Sequence, residues 1–265
     1  MTIHALAGLP RSGSTLLANV LAQHPDVHVS GTSALSNAMG AVQGVLSNDP
    51  TVISELTANP GMYVRYQDAL RGLAEGWYEG IDESVIIDKG RAWAPLWTLA
   101  STLWADAKMI VTVRDPRDVV ASIERQHRAT GVFQSPVAPA LRDAAEAYMQ
   151  ADGLVGSQIK FAEDLVRRKG ENVQFVRYES FVVDPAATLA RCVAHLGLEP
   201  FDFDPDHVES RGGDTDEVWR GKFPHDGTGP IKVSGSSWED TLDPELAALI
   251  AGVFPFFMST FSYGG

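Results

Sequence analysis

The stretch IHALAGLPRSGSTLLANVL, residues 3–21, predicts a strand, a glycine-rich turn and a helix in succession. Residues 3–9 form a short apolar run, and the leucines and valine after Thr15 recur at helical spacing. A turn between a strand and a helix can aim successive backbone N–H groups at a phosphate. The stretch therefore favours a phosphate-binding loop, although such turns also occur without ligands.

This loop departs from the Walker pattern G-x-x-x-x-G-K-[ST] at one informative position. Where the Walker loop has a lysine for the β- and γ-phosphates, this chain has Ser14, and Arg11 is the one cation between Gly8 and Thr15. The loop is therefore suited to a phosphate-like group and poorly equipped for Mg-ATP phosphoryl transfer. A kinase-like phosphotransferase that uses ATP remains an alternative.

Alternating apolar strands and helical patterns define the expected fold. Strands are predicted at residues 3–9, 85–88, 108–113 and 173–178, and helices at 93–103, from Pro116, over 140–169 and from 184 to 196. Asp115 is placed to cap the helix that begins at Pro116. The alternation predicts an α/β fold with three layers, a mainly parallel sheet covered by helices on both faces. We expect a single domain over 1–265, with a lid that closes over the ligand at 209–238.

The charge balance limits the partners of this chain. Its 265 residues include 21 basic and 34 acidic side chains, which gives a net charge of −13. An anionic body repels nucleic acid, so an anionic ligand must be held by a few clustered cations. Cys192 is the single cysteine, and the sequence contains neither a signal-peptide pattern nor an apolar stretch of membrane-spanning length. We therefore expect a soluble, cytoplasmic protein without a membrane span.

The segment PRSGSTLLANVLAQHPDV, residues 10–27, resembles the 5′-phosphosulfate loop of the sulfotransferases that use 3′-phosphoadenosine 5′-phosphosulfate (PAPS). It is most similar to the P-R-S-G-[ST]-T branch, which includes tyrosylprotein sulfotransferases and many bacterial enzymes. The resemblance implies a P-loop-nucleotide-hydrolase-like sulfotransferase fold. It also implies that Arg11, Ser12, Gly13, Ser14 and Thr15 hold the sulfate-bearing end of the donor.

A second segment, MIVTVRDPRDVVASI at residues 109–123, resembles the 3′-phosphate motif of the same family. The resemblance implies that Arg114 and Ser122 bind the 3′-phosphate, a doubly charged group that a guanidinium fork grips well. Arg125 lies three residues after Ser122 and shares its helix face. The alternative is that the arginines and aspartates only form a capped, salt-bridged helix start.

Two further segments extend the resemblance towards the carboxyl terminus. VRYESFVVDPAATLARCVAHLGL, residues 176–198, is similar to the family segment whose tyrosine frames the nucleotide, a position taken by Tyr178. IKVSGSSW, residues 231–238, is similar in spacing to the R-K-G-x-x-G-x-W loop that closes over the donor. Lys232 would contact a phosphate there, although Val233 replaces the glycine that follows the cation.

The resemblance implies in-line transfer of the sulfuryl group to a hydroxyl or amine acceptor, with 3′-phosphoadenosine 5′-phosphate (PAP) as the product. Lys89, after the strand at 85–88, and Arg11 are the expected transition-state cations, with no metal required. The tyrosylprotein branch has a glutamate base shortly after its H-P-D-V segment, and this chain has no carboxylate there. His28, His24 and Asp88 are candidates for the base, and we expect His28 in the catalytic set. A catalytically inactive nucleotide-binding protein is a further alternative.

The acceptor and the assembly are less constrained by the sequence. A small-molecule or peptide acceptor fits the resemblance, and nucleic acid is not expected as a partner. The histidines lack metal-ligand spacing, so no metal site is predicted. Trp93, Trp97 and Trp104 are expected in the core, with an acceptor pocket as the alternative. Phenylalanines at 254–261 predict a terminal element docked on the core, or a homodimer contact.

Overall fold

The computed structural model describes residues 2–130, 140–168, 172–210, 227–233 and 235–264. Strands and helices alternate along most of the described chain. The order is β1 Ile3–Gly8, α1 Ser14–Leu21, β2 Val27–Thr32, α2 Leu35–Asn48, α3 Pro50–Ala58, α4 Met62–Trp77, β3 Val85–Lys89, α5 Trp93–Leu103, β4 Met109–Val113, α6 Pro116–Thr130, α7 Leu141–Met149, α8 Gly156–Arg167, β5 Val173–Arg177, α9 Tyr178–Val183, α10 Pro185–Leu196, a 3₁₀ turn Trp238–Asp240, α11 Pro244–Val253 and α12 Pro255–Thr260.

Five strands form one parallel sheet in the order β2-β3-β1-β4-β5. The central strand β1 pairs with β3, where Leu6 lies opposite Lys89, and with β4, where Gly8 lies opposite Thr112. Because all strands run in the same direction, their carboxyl ends meet at one edge of the sheet. Loops at this edge are where ligands bind in open α/β folds.

Alternating residues of the strands supply the two faces of the sheet to two separate cores. Ile3 and Ala7 of β1 pack into a cluster that includes Trp93 of α5 and Val120 of α6. Leu6 of β1 belongs to a second cluster, formed mainly by α1, α9 and α10. The period of two along a strand produces this division. The predicted α/β fold with three layers is confirmed, with an all-parallel sheet.

Side-chain caps define several helix starts as the sequence predicts. The Asp115 carboxylate accepts a hydrogen bond from the backbone N–H of Arg117 at 2.9 Å, and α6 begins between them at Pro116. Asp184 caps α10 in the same way, and Gly197 ends that helix in the left-handed conformation. An acceptor before the helix and a proline at its first position satisfy or avoid the unpaired N–H groups of the first turn.

The prediction of one long helix over 140–169 is wrong. The described part of that range forms α7 and α8, separated by a turn in which the Gly153 N–H donates to the Gln150 carbonyl at 2.8 Å. A Cβ at Gly153 would lie 2.3 Å from the Ala147 carbonyl oxygen, so the close turn requires glycine. The Asp152-Gly153 pair is a turn signal that interrupts an otherwise helical pattern.

Strand β2 is an element that the sequence prediction omitted. Its inward residues, Val27 and Val29, alternate with polar ones, and it lies at the edge of the sheet beside β3. An edge strand is half-exposed, so its apolar pattern is weaker than that of a central parallel strand. The predicted strand ending at Tyr178 also stops one residue earlier, because Tyr178 begins α9.

The tryptophans and two of the terminal phenylalanines are buried in the core, as the sequence predicts. Trp93, Trp97 and Trp104 are buried in the first core. In the terminal element, Phe257 and Phe261 are buried with ring centroids 4.8 Å apart, and Phe261 also packs on Phe175 of β5. Among the described residues, none of the helices has the length and apolarity needed to cross a bilayer.

Candidate functional site

A cavity of about 430 Å³ opens at the carboxyl edge of the sheet, next to the ends of β1, β2 and β3 and the starts of α1 and α9. Its lining therefore combines segments that are far apart in the sequence. The polar or charged side chains at its wall are Arg11, Ser14, Thr15, Thr32, Lys89, Arg91, Arg114, Gln126, His127 and Tyr178. This is where an open α/β sheet binds its ligand.

The loop after β1 has the backbone of an anion cradle. Arg11 has a φ of 59° and Gly13 a φ of 82°, both in the left-handed region. Gly13 precedes α1 and has no side chain to cap the first turn of the helix. The N–H groups of that turn have no intrahelical partner and carry the positive end of the helix dipole, so they can bind a phosphate or sulfate.

The Ser12 side chain holds the loop in place by hydrogen bonds. Its hydroxyl donates to the Leu9 carbonyl at 2.6 Å and lies 2.6 Å from the Thr112 hydroxyl of β4. The side chain is buried and is not among those at the cavity wall. Of the predicted loop residues, Arg11, Gly13, Ser14 and Thr15 line the cavity, and the Ser12 hydroxyl fixes the turn that presents them.

Tyr178 connects the loop to the second predicted motif. The guanidinium of Arg114 lies 4.3 Å from the centroid of the Tyr178 ring, and a Cβ at Gly13 would lie 2.7 Å from the Cδ2 of Tyr178. The ring thus lies against both Gly13 and Arg114 and holds the arginine by a cation–π contact. The structure brings all three residues together at the cavity, as the sequence predicts.

Arg114 is buried and incompletely paired. Its Nη1 donates to the Arg11 carbonyl at 3.0 Å, while its Nε is buried and has no hydrogen-bond partner among the described residues. A buried donor without an acceptor is costly, and a charged donor more so. The side chain also lines the cavity, where an anionic ligand would offset the charge of the guanidinium.

Ser122 meets Arg11 rather than the cavity wall. The Nε of Arg11 donates to the Ser122 hydroxyl at 3.1 Å, so the first turns of α6 are fixed against the phosphate loop. Arg125 does not join them, because its Nη1 donates to the Ser237 carbonyl and to the Thr241 hydroxyl. Ser122 and Arg125 therefore share one face of the helix but bind different segments: Ser122 binds the phosphate loop, and Arg125 binds residues 237–241.

Lys89 lies at the end of β3 and lines the cavity. Its Nζ lies 3.2 Å from the Thr32 hydroxyl, and its backbone N–H donates to the Ser30 hydroxyl at 2.8 Å. Ser30 and Thr32 both belong to β2, so the omitted edge strand fixes the position of the predicted catalytic lysine. Burial at the strand end limits the conformations that its side chain can take.

The cavity wall is cationic although the protein is anionic. Arg11, Lys89, Arg91 and Arg114 line it, and no carboxylate does so among the described residues. Because the net charge of the whole chain is −13, the charge of this wall is opposite in sign to that of the protein. Within the part of the chain that the structure describes, no cluster of three His, Cys, Asp or Glu side chains could hold a metal. The arrangement suits a polyanionic ligand.

The three predicted candidates for the base lie away from the cavity wall. The His28 ring contacts the Tyr78 ring edge-on at 5.6 Å. The His24 Nδ1 accepts from the Asp26 N–H at 3.1 Å, and its Nε2 therefore donates to the Glu199 carbonyl. Asp88 is fully buried and accepts hydrogen bonds from Tyr78 and from Trp93. Burial raises the pKa of the Asp88 carboxyl.

Lys232 is not brought to the cavity wall. It is exposed, next to Ile231, whose N–H donates to the Pro205 carbonyl at 2.8 Å. Residues 211–226 and 234 of the predicted closing segment lie outside the described residues. Gly227 does line the cavity, and its carbonyl accepts a hydrogen bond from the Asn19 amide of α1 at 2.9 Å.

Sequence reasoning missed several residues of the cavity. Ile123, Gln126 and His127 line it from α6, and Arg91 lines it two residues after Lys89. The helical signal was present for the first three, because Ile123, Gln126 and His127 are spaced i, i+3 and i+4. Residues with this spacing lie on one face of a helix. Gly227 carried no such signal, since it reaches the site through a tertiary contact with Asn19.

Residues 5–203 match the family model described as the sulfotransferase family. The chain is also 28% identical over 213 residues to the nodulation protein NoeE of Sinorhizobium fredii. That alignment covers 74% of this chain and 50% of NoeE, so the chain matches half the length of this curated relative.

Solved sulfotransferase structures have the same fold. The sulfotransferase from Alicyclobacillus acidocaldarius is 16% identical, with a TM-score of 0.55 over 99% of this chain and 96% of that one. Mouse sulfotransferase SULT7A1, solved in complex with PAP, is 17% identical, with a TM-score of 0.56 over 99% and 86% of the two chains. These likenesses confirm the predicted sulfotransferase-like fold. The family model covers most of the chain, including the phosphate loop and the Arg114 motif, and on this evidence the chain belongs to the sulfotransferase family.

Proposed function

We propose that the chain transfers the sulfuryl group of PAPS to a hydroxyl or amine of a small acceptor, releasing PAP. The observation that carries this proposal is the group of four cations, Arg11, Lys89, Arg91 and Arg114, that lines one cavity beside the phosphate loop of an otherwise anionic chain. A 3′-phosphate is an acceptor of the required charge for the Arg114 guanidinium.

The donor would be held at two places. Arg11, Gly13, Ser14 and Thr15 would bind the phosphosulfate through the loop backbone and the Arg11 side chain, with Ser12 fixing the turn. Arg114 would bind the 3′-phosphate, Ser122 would orient Arg11 and complete the phosphate site, and Tyr178 would frame the nucleotide. The hydrogen bond between Arg11 and Ser122 supports this arrangement, because it makes the two anion sites neighbours.

Lys89 and Arg11 are the proposed transition-state cations. Sulfuryl transfer builds negative charge on the oxygen that bridges sulfur and the nucleotide phosphate. Fixed cations in a site shielded from water stabilise that charge strongly. Both side chains line the cavity, and each is positioned by a side chain from another element, Thr32 for Lys89 and Ser122 for Arg11.

The domain organisation also stays a proposal. We propose one sulfotransferase domain over 1–265, in which the segment 209–238 closes over the donor, with Lys232 as its phosphate contact. The backbone bridge between Val208 and Gly229 supports this proposal, since it holds Gly229 of that segment beside Val208, the residue that precedes it. The acceptor would be a small molecule or a peptide.

Calorimetric titration with PAP, AMP and Mg-ATP tests the donor assignment. We expect PAP to bind more tightly than AMP because it alone carries the 3′-phosphate. Arg114→Ala should weaken PAP binding at least about thirtyfold, the effect of truncating one partner of a buried charged pair. Arg168→Ala, which removes an exposed arginine directly after α8, is the matched control. If AMP binds as well as PAP, or Mg-ATP binds better, the proposal fails and an ATP-dependent phosphotransferase takes its place.

A further inference from the structure

The cavity has one side chain suited to accept a proton near neutral pH. Among the described residues at its wall, His127 is the only imidazole, and none is an aspartate or glutamate. The side chain is 5% exposed, and it borders the same cavity as Lys89 and the phosphate loop. A sulfotransferase must remove a proton from the attacking hydroxyl, so this position matters for the reaction proposed above.

Helix α6 places His127 beyond the donor-binding residues. Ser122 is held against Arg11, and His127 follows five residues later on the same helix. At a rise of about 1.5 Å per residue, the two Cα atoms are separated by ~7.5 Å along the helix axis. Ile123 and Gln126 line the cavity on the same face. His127 therefore borders the cavity further along α6 than the contact between Ser122 and Arg11.

Tyr148 of α7 positions the imidazole. Its hydroxyl lies 3.2 Å from the Nδ1 of His127, and the two rings meet edge-on with centroids 6.2 Å apart. Glu124 is the charged neighbour that acts on this pair, and its carboxylate is bonded to Arg128 at 2.7 Å. A base whose second nitrogen is held by another group is the arrangement found in many catalytic dyads and triads.

We propose that His127 is the general base of the acceptor and that Tyr148 is its positioning residue, an inference that rests on the proposed sulfotransferase function. The acceptor oxygen forms a bond to sulfur while the bond between sulfur and the bridging oxygen of the donor breaks. The electron pair of the broken bond stays on the nucleotide phosphate. The hydroxyl proton moves to Nε2 of His127, while the N–H at Nδ1 donates to the Tyr148 oxygen.

The protonation state of His127 suits this role. Burial lowers the pKa of the imidazole below its ordinary value of 6.5, and the Glu124 carboxylate opposes part of that shift. A histidine with a lowered pKa is neutral at pH 7 and can accept a proton. The rate of transfer should therefore fall as the pH decreases through this lowered pKa.

The first test uses His127→Gln with PAPS and a panel of phenols of graded acidity. We expect turnover of weakly acidic phenols to fall by roughly 10²- to 10⁴-fold, the usual contribution of a general base. 4-Nitrophenol at pH 8 is largely ionised and needs no base, so its turnover should fall much less. PAP affinity should stay unchanged, which shows that the site is folded. His195→Gln, at a partly buried histidine of α10, is the matched control.

An equal loss for every phenol, or none, would overturn the base assignment. If the unmodified protein does not bind PAP, the proposed function itself is overturned. A second test does not depend on the acceptor. ¹⁵N NMR of the PAP complex should show neutral His127 with its proton on Nδ1, and Tyr148→Phe should change this tautomer population. If the proton lies on Nε2, His127 cannot be the base. This result is decisive even if none of the phenols is a substrate.

Discussion

The Nε of Arg11 donates a hydrogen bond to the hydroxyl of Ser122 over 3.1 Å, although 111 positions separate the two residues in the sequence. Arg11 belongs to the phosphate loop, and Ser122 lies on the helix that follows Arg114. The contact fixes the direction of a guanidinium whose own backbone is in the left-handed region. Strain of this kind at a site persists where surrounding contacts hold it.

Ser122→Ala should therefore weaken PAP binding through Arg11 as well as through any direct contact. The loss of one hydrogen bond to a charged group predicts a decrease in affinity of about tenfold. Calorimetric titration of the variant with PAP measures this. Ser47→Ala, at an exposed serine of α2 that bonds Gln43, is the control and should bind PAP like the unmodified protein. Equal affinities of all three proteins would show that the Arg11 contact does not contribute to binding.

Gly13→Ala should lower both stability and PAP affinity. The residue has a φ of 82°, and a Cβ there would lie 2.7 Å from the Tyr178 ring. The left-handed conformation alone costs a non-glycine residue about 1–2 kcal/mol, and moving the ring disturbs its contact with Arg114. Denaturant unfolding measures the change in the free energy of unfolding.

Gly72→Ala provides the opposite case. Gly72 lies within α4, and no atom approaches its Cβ position within 4 Å. Alanine should therefore stabilise the protein by up to about 1 kcal/mol, the difference in helix propensity. If Gly13→Ala also leaves stability and PAP binding intact, the close approach of Tyr178 to the loop is incorrect.

The parts of the fold and site that were predictable have strong local signals. Central strands such as β1 are continuous apolar runs, and Asp115 with Pro116 marks a helix start, so these elements follow from short segments. The loop and the Arg114 motif were found for the same reason. Strand β2 was missed because an edge strand alternates polar and apolar residues, and the turn at Gly153 was overlooked within a helical pattern.

The remaining site residues depend on tertiary contacts that a single sequence does not record. His28 follows the expected H-P-D-V segment but contacts Tyr78 away from the cavity wall, whereas His127 reaches the cavity through the packing of α6. Gly227 is placed by Asn19, which lies 208 positions earlier. In each case the deciding partner is remote in sequence, so neither spacing nor periodicity identifies it.

Lys89→Met should remove transfer while leaving nucleotide binding largely intact. Methionine keeps much of the apolar stem and removes the charge that would stabilise the bridging oxygen in the transition state. Loss of one such group typically costs about 10²- to 10³-fold in kcat. Single-turnover measurements with PAPS and a phenol give the rate, and calorimetry with PAP gives the affinity. Lys160→Met, at an exposed lysine of α8, is the control. An equal loss of rate and of PAP affinity would assign Lys89 to binding rather than to the transition state.

His4 should make the stability of the protein depend on pH. Burial, with help from Lys108 and His195, lowers the pKa of this β1 side chain from 6.5 to about 4. Between these values the unfolded chain binds a proton that the folded protein excludes, so stability decreases as the pH falls from 6.5 to 4. The total is about 3 kcal/mol. His4→Asn, whose amide oxygen can still accept the Lys108 N–H, should flatten this dependence in denaturant unfolding at several pH values. His207→Asn, at an exposed position, controls for the loss of a histidine. A slope unchanged by His4→Asn would mean that other groups cause the acid sensitivity.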